Sequence, residues 1–140
     1  MHLFILLNHL PPKGNDFTRM FSLNAMDMIL KGYQEIAKNG EEARKPILRQ
    51  FMLASTYAGI AFGNAGCAAV HAMSYPLGAK YHVPHGEANY AIFTEVYKTY
   101  MKLQPVGIIN KLNTHLAGIL DCGEDEVYTE IEKLLKSYYS

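Results

Sequence analysis

The sequence predicts an all-α protein, arranged as a helical bundle, and two observations support this. Apolar residues recur at three- and four-residue steps over most of the chain, the spacing that places side chains on one face of a helix. Between these segments stand Asn-Gly, Pro and Gly signals that end helices and leave only short connections. No segment is convincing as a β-strand and no internal repeat is present, so we expect helices packed on helices.

The first half of the chain predicts three helices. They cover residues 16–37, 41–62 and 67–75. Asp16 or Thr18 can cap the first helix, and Gly40 supplies its stop. The second helix begins with two acidic residues, whose negative charges stabilise the positive N-terminal end of the helix dipole. Pro46 is tolerated only because it lies near the first turn of this helix. The third helix is expected to stop at Pro76.

The second half predicts three more helices. They cover residues 84–103, 106–120 and 124–138. Pro84 is suited to the first turn of a helix, and Pro105 ends that helix. In the last segment Val127, Ile131 and Leu134 share one face, and acidic residues occupy the first turn.

Composition excludes several functional classes. Thirteen basic residues balance thirteen acidic ones, giving a formal net charge of zero over 140 residues, so the chain lacks the basic surface of a nucleic-acid-binding protein. No apolar run approaches the ~20 residues that span a bilayer, so no membrane partner is expected. Cys67 and Cys122 show no paired spacing, which predicts a cytoplasmic location without disulfides.

Histidines concentrate in one stretch, where His71, His82 and His85 fall close together. If the chain turns back after the Pro76 break, His85 at the start of the next helix could face His71 across a pocket. Two imidazoles in that arrangement suit zinc or iron(II), although metal sites usually need three or four protein ligands. The other interpretation is that His71 is a buried core residue and His85 a surface residue at a helix start.

Three motifs resemble the signature of the iron-containing (group III) alcohol dehydrogenases. In order, they are G-x-A-x-x-N-A-G from Gly59, H-x-M-x-x-P-L-G from His71 and P-H-G-x-A-N from Pro84. The resemblance implies an all-helical metal-binding domain that follows an α/β nucleotide-binding domain. On this basis residues 12–140 are expected to form part of the helical domain, residues 1–11 are an atypical segment, and the nucleotide-binding domain is absent.

The resemblance also implies site residues. His71 and His85 match two of the family's metal ligands, for Fe2+ or Zn2+. Phe62 and Cys67 match positions that line the substrate pocket, with plain packing as the alternative. Tyr75 stands where the family often has a second histidine near the nicotinamide or the substrate; a tyrosine can orient a substrate there but does not titrate near neutrality.

One part of the family pattern is missing. The family has two further ligands, an Asp and a His, on a helix before a P-x-x-N turn, and that turn matches residues 12–15 here. The sequence before Pro11 does not resemble that helix, and His2 and His9 are out of register. We therefore expect the isolated chain to be catalytically inactive and to bind metal weakly.

The function that the resemblance implies is NAD(P)-linked oxidation of a small alcohol or reduction of an aldehyde. Within the family, A-F-G-N-A-G and Y-H-V-P-H-G-E-A-N-Y look most like the 4-hydroxybutyrate dehydrogenases, which interconvert 4-hydroxybutyrate and succinate semialdehyde. No cofactor-binding residue is assigned. The alternative function is a non-catalytic helical interaction module with structural histidines. Separately, the apolar helix faces that remain exposed predict self-association into a homo-oligomer.

Overall fold

The computed structural model of the chain describes residues 14–65, 69–103 and 105–139, with side chains described as far as Ser137. Within these ranges the chain forms a short 3-10 turn, Glu41–Ala43, and the following helices: α1 Asp16–Asn39, α2 Arg44–Ala65, α3 Ala69–Tyr81, α4 His85–Leu103, α5 Ile108–Leu120 and α6 Val127–Tyr139. No strand occurs in the described residues, which confirms the predicted all-α fold. The predicted pocket residue Cys67 and the N-terminal segment 1–11 lie outside the described residues.

Helix α1 begins with a capping box formed by Asn15 and Thr18. The Thr18 backbone N–H donates to Asn15 Oδ1 at 2.9 Å, and the Asn15 N–H donates to Thr18 Oγ1, also at 2.9 Å. The N-cap is therefore Asn15, and not Asp16 or Thr18 as predicted. The side chains of Asn15 and Thr18 each accept a hydrogen bond from the backbone N–H of the other residue. The other end of α1 matches the prediction, since Gly40 follows it with a φ of 78°.

Helix α2 turns back and packs along α1. The residues just before it close as a 3-10 turn, with the Ala43 N–H donating to the Gly40 carbonyl at 3.1 Å, so α2 begins at Arg44 instead of Glu41. Gly32 permits the close approach of the two helices, because a Cβ at this position would lie only 2.6 Å from Phe51 Cζ. The Phe51 ring of α2 thus packs directly against the α1 backbone at Gly32.

The core is built around α1, which contacts α2, α5 and α6, while α4 also packs on α6. The largest side chains that are almost completely buried come from α1, α3, α4, α5 and α6: Met26, Leu30, Val70, Tyr97, Ile109, Leu112, Leu116, Val127 and Ile131. Helices α5 and α6 begin at Ile108 and Val127, slightly later than predicted. Their apolar faces nevertheless point inward, as the three- and four-residue spacing requires.

Helix α3 runs through Pro76, so the predicted stop at this residue is wrong. A proline inside a helix removes one backbone donor and crowds the preceding turn, but it does not always end the helix. The end comes at His82, which adopts a left-handed φ of 56° while its N–H donates to the Gly78 carbonyl at 3.0 Å. A connection of three residues then leads to α4, and α3 and α4 pack against each other.

Among the described residues, none of the helices has both the length and the apolar character that crossing a bilayer requires.

Candidate metal centre

Two histidines meet where the start of α3 lies beside the start of α4. His71 belongs to the first turn of α3, and His85 is the first residue of α4. Their ring centroids are 5.1 Å apart and the ring planes are inclined at 48°. The predicted convergence of the two imidazoles is therefore present in the fold.

The two rings have different environments. His71 is 6% exposed, whereas His85 is exposed to solvent. Burial lowers the pKa of His71, and the nearby His85 lowers it further. A neutral imidazole keeps a lone pair on one ring nitrogen, which is the form that binds a metal ion.

A buried amide holds the His85 ring from its own helix. Asn89 lies one turn further along α4, and its Nδ2 is 3.0 Å from His85 Nε2. The Asn89 side chain is buried, with the residue only 2% exposed, and its Oδ1 has no hydrogen-bond partner among the described residues. Asn89 was not among the predicted site residues, although its position four residues after His85 on a helix was a usable signal.

Aromatic side chains flank the two histidines. The Phe62 ring lies 6.3 Å from the His71 ring, with an angle of 25° between the planes. The Tyr75 ring lies 6.1 Å from the His85 ring at 19°. Phe62 is 39% exposed and Tyr75 is 61% exposed, so both rings remain accessible to a ligand beside the pair.

Of the other residues considered, two are exposed, one is buried and one lies outside the described residues. His82 is exposed in the connection between α3 and α4, and Lys80 is exposed near the end of α3. Ser74 is buried, and its hydroxyl donates to the His71 carbonyl at 3.0 Å, so this contact is to the backbone of α3. Cys67 cannot be placed, since it lies outside the described ranges.

The donor set suits a divalent transition metal but is incomplete. Imidazole nitrogen is a good ligand for both zinc and iron(II). In the part of the chain that the structure describes, His, Cys, Asp and Glu side chains nowhere form a group of three that could hold a metal ion. Among the described residues, His71 and His85 therefore provide two of the three or four donors that such a site usually needs.

A comparison with family profiles gives one clear match. Residues 8–139 match the profile described as "Fe-containing alcohol dehydrogenase family, C-terminal". The match extends over nearly the whole chain and includes all three motifs on which the sequence resemblance was based.

The characterised proteins with similar sequences are also alcohol dehydrogenases. The chain is 51% identical to 4-hydroxybutyrate dehydrogenase of Clostridium kluyveri over 132 residues, which cover 94% of this chain and 36% of the relative. It is 40% identical to long-chain-alcohol dehydrogenase 1 of Geobacillus thermodenitrificans over 65 residues, covering 46% of this chain and 16% of that protein. The chain thus spans about a third of the length of the clostridial relative.

Solved structures show the same fold. A 1,3-propanediol oxidoreductase superposes with a TM-score of 0.80 at 22% identity, covering 97% of this chain and 36% of that one. An archaeal halo-thermophilic alcohol dehydrogenase from a Red Sea brine pool also gives a TM-score of 0.80, at 17% identity, with the same coverage of 97% and 36%. At these identities the likeness concerns the fold alone.

Proposed function

This chain belongs to the iron-containing alcohol dehydrogenase family, and from that premise we propose that it is part of a metal-dependent, NAD(P)-linked alcohol dehydrogenase in which His71 and His85 are metal ligands. The observation that carries the proposal is the 5.1 Å separation of the two ring centroids. One ion between two imidazoles at this distance would be within reach of both, and the pKa of His71 is lowered in the direction that favours the neutral ligand.

The chain's own residues would provide binding and orientation. When bound, an Fe2+ or Zn2+ ion would supply Lewis-acid polarisation of the substrate oxygen during hydride transfer. His71 and His85 would hold the ion through neutral ring nitrogens. Phe62 would provide an apolar wall beside His71, and the exposed Tyr75 would orient the substrate or the nicotinamide by donating a hydrogen bond.

We propose the 4-hydroxybutyrate and succinate semialdehyde pair as substrates of the whole enzyme. The support is the 51% identity to the clostridial 4-hydroxybutyrate dehydrogenase over 94% of this chain. A substrate carboxylate needs a cation or amide donors for its recognition. Lys80 is the nearest basic residue along the chain to Tyr75, and its exposed ammonium is only a candidate for that role.

The isolated chain is proposed to be inactive, because it spans 36% of the length of the clostridial relative and contributes only two proposed metal ligands. A second candidate role is that of a non-catalytic helical interaction module. The observation in its favour is a set of large apolar side chains left exposed, among them Met52 at 66%, Leu103 at 72% and Val106 at 76%.

Equilibrium dialysis of the 140-residue chain against Zn2+, and anaerobically against Fe2+, separates these proposals. If the chain is part of a metal-dependent dehydrogenase, we expect one bound ion per chain. The ion should be lost in the His71→Ala and His85→Ala variants and retained in His82→Asn. Asparagine is chosen for position 82 because it tolerates the left-handed backbone conformation of that residue. An interaction module with structural histidines predicts no stoichiometric ion in any of the four proteins. It predicts instead that His71→Ala reduces the free energy of unfolding without any metal signal.

Activity is measured separately with 4-hydroxybutyrate and with NAD+ or NADP+. We expect no turnover above a control without protein. Turnover that depends on added metal would contradict the proposed inactivity, and it would show that the 140-residue protein already forms a complete site.

A further inference from the structure

We infer that Asn39 is a site of spontaneous deamidation, which the last turn of α1 holds in check and whose product loosens the turn between α1 and α2. Asn39 is the last residue of α1, and Gly40 follows it. It is the only asparagine in the sequence that has glycine as its next residue. The reaction involves neither of the two histidines of the proposed metal site.

The modification requires only water and no enzyme. The backbone nitrogen of Gly40 loses its proton to the solvent and attacks Cγ of the Asn39 amide. A bond forms between this nitrogen and Cγ, the bond from Cγ to Nδ2 breaks, and Nδ2 takes up a proton and leaves as ammonia. Water then opens the five-membered imide at either carbonyl. The product is aspartate, or isoaspartate if the main chain now passes through the side-chain carbon.

The surroundings of Gly40 leave room for this attack. Asn39 is exposed, and a Cβ built on Gly40 would meet no atom of the described residues within 4 Å. Because Gly40 has no side chain, its nitrogen can approach the amide carbon without a clash. The end of a helix also opens more readily than its centre, so the required rearrangement is accessible without global unfolding.

Two hydrogen bonds oppose the attack while the last turn of α1 is closed. The Gly40 N–H, which supplies the attacking nitrogen, donates to the Ile36 carbonyl at 2.7 Å. The Asn39 amide is restrained as well, since Nδ2 donates to Glu35 Oε1, also at 2.7 Å. The first bond must break before the nitrogen can reach Cγ, so the rate depends on how often this turn opens.

The product replaces an attraction by a repulsion. A carboxylate at position 39 has no N–H to donate, so it would repel the Glu35 carboxylate four residues earlier. Both charges would also lie near the negative C-terminal end of the α1 dipole. Isoaspartate in addition lengthens the main chain beside Gly40, whose carbonyl accepts from the Ala43 N–H at 3.1 Å in the turn before α2. Conversion should therefore weaken the junction of the two helices.

Mass spectrometry of peptides from the 140-residue chain, incubated in mildly alkaline buffer, measures the reaction. Each conversion raises the mass by one dalton, and fragmentation locates it and separates the two products. Asn64 is the internal control: it is exposed near the end of α2 and its Nδ2 donates to the Ile60 carbonyl at 2.8 Å, but Ala65 follows it. We expect Asn39 to convert several times faster than Asn64, and faster still when guanidinium chloride unfolds the chain.

The effect on stability is measured with variants that carry the aspartate product. Asn39→Asp should lower the urea midpoint more than Asn64→Asp, because both place a charge near the end of a helix but only position 39 is known to contact a carboxylate. Added salt should reduce the difference between the two variants, since it screens repulsion between exposed charges.

Each result decides one part of the inference. Conversion of Asn39 no faster than that of Asn64 overturns the assigned site. Equal rates at Asn39 in the folded and unfolded chain overturn the restraint by the last turn of α1, and equal urea midpoints of the two aspartate variants overturn the loosening of the junction. The rates are measured on the unsubstituted chain, so the site is tested even if a variant does not fold.

Discussion

His115 on α5 contacts Asp27 on α1, with Nε2 and Oδ1 only 2.7 Å apart. The two side chains are 36% and 33% exposed, so the contact lies at the edge of the core instead of inside it. It joins helices that are far apart along the chain, and the hydrogen bond from Gln34 Nε2 to the Ile119 carbonyl, at 3.2 Å, joins the same two helices.

The Asp27–His115 contact is expected to stabilise the packing of α5 on α1 modestly. A double-mutant cycle with Asp27→Asn and His115→Gln should give a coupling energy of about 0.5–1 kcal/mol, because partial exposure limits what a polar side-chain contact contributes. The measurement is the free energy of unfolding by urea. As a control, the more exposed pair of Glu41 and Arg44 should show a smaller coupling. A zero coupling for Asp27 and His115 would mean that the contact does not link the helices energetically.

Gly32→Ala should destabilise the chain. The new Cβ would meet the Phe51 ring at 2.6 Å, so the ring or the helix must move, and overpacking of this kind costs about 1–3 kcal/mol. Gly59→Ala in α2 is the matched control, since a Cβ there meets nothing within 4 Å. The control should be stabilised by about 0.5–1 kcal/mol because alanine favours a helix over glycine. Equal effects on the melting temperature would refute the close approach at Gly32.

Tyr97→Phe should also destabilise the chain. The Tyr97 hydroxyl donates to Asn113 Oδ1, and the Asn113 amide in turn contacts Met101 Sδ at 2.7 Å. Burial raises the pKa of Tyr97, so this hydroxyl remains a donor well above neutral pH. Removing it leaves a buried acceptor unpaired, at a cost of about 1–3 kcal/mol. Tyr81→Phe, at a side chain that is 61% exposed, should change the urea midpoint little, and a matching loss in both variants would contradict the assignment.

A metal ion held by His71 and His85 should be released easily. Since the described residues provide no group of three ligands, we expect dialysis against a mild chelator to remove Zn2+ or Fe2+ from the 140-residue chain. Elemental analysis before and after dialysis measures this. Stoichiometric metal that survives the treatment would mean that residues outside the described ranges, or a second chain, complete the site.

Much of the helical order could be predicted because its apolar periodicity is strong. The boundaries were less predictable where local signals compete. Pro76 was expected to end α3, but the helix continues to Tyr81, because the packing of α3 on α4 and the left-handed turn at His82 set the real end. In the same way, the capping box of Asn15 and Thr18 depends on two reciprocal hydrogen bonds that a simple search for a cap did not weigh.

The candidate site was predictable in part. The proximity of His71 and His85 was expected from a chain that turns back after Pro76; the structure brings the rings together, although α3 continues through Pro76 to Tyr81. Asn89 was not predicted, although its place four residues after His85 on a helix was a usable signal; its burial and its contact with His85 are visible only in the structure. The metal roles of both histidines, and the pocket roles of Phe62 and Tyr75, remain predictions.

The most direct test of the central claim is a Zn2+ titration of the 15N-histidine-labelled chain observed by NMR. If His71 and His85 hold one ion, the ring nitrogens of both residues should shift together along one saturation curve that fits one Zn2+ per chain, while those of His82 and His115 stay unchanged. A shift of only one of the two rings, or no shift at either under excess Zn2+, would contradict the claim that these imidazoles form a shared metal site.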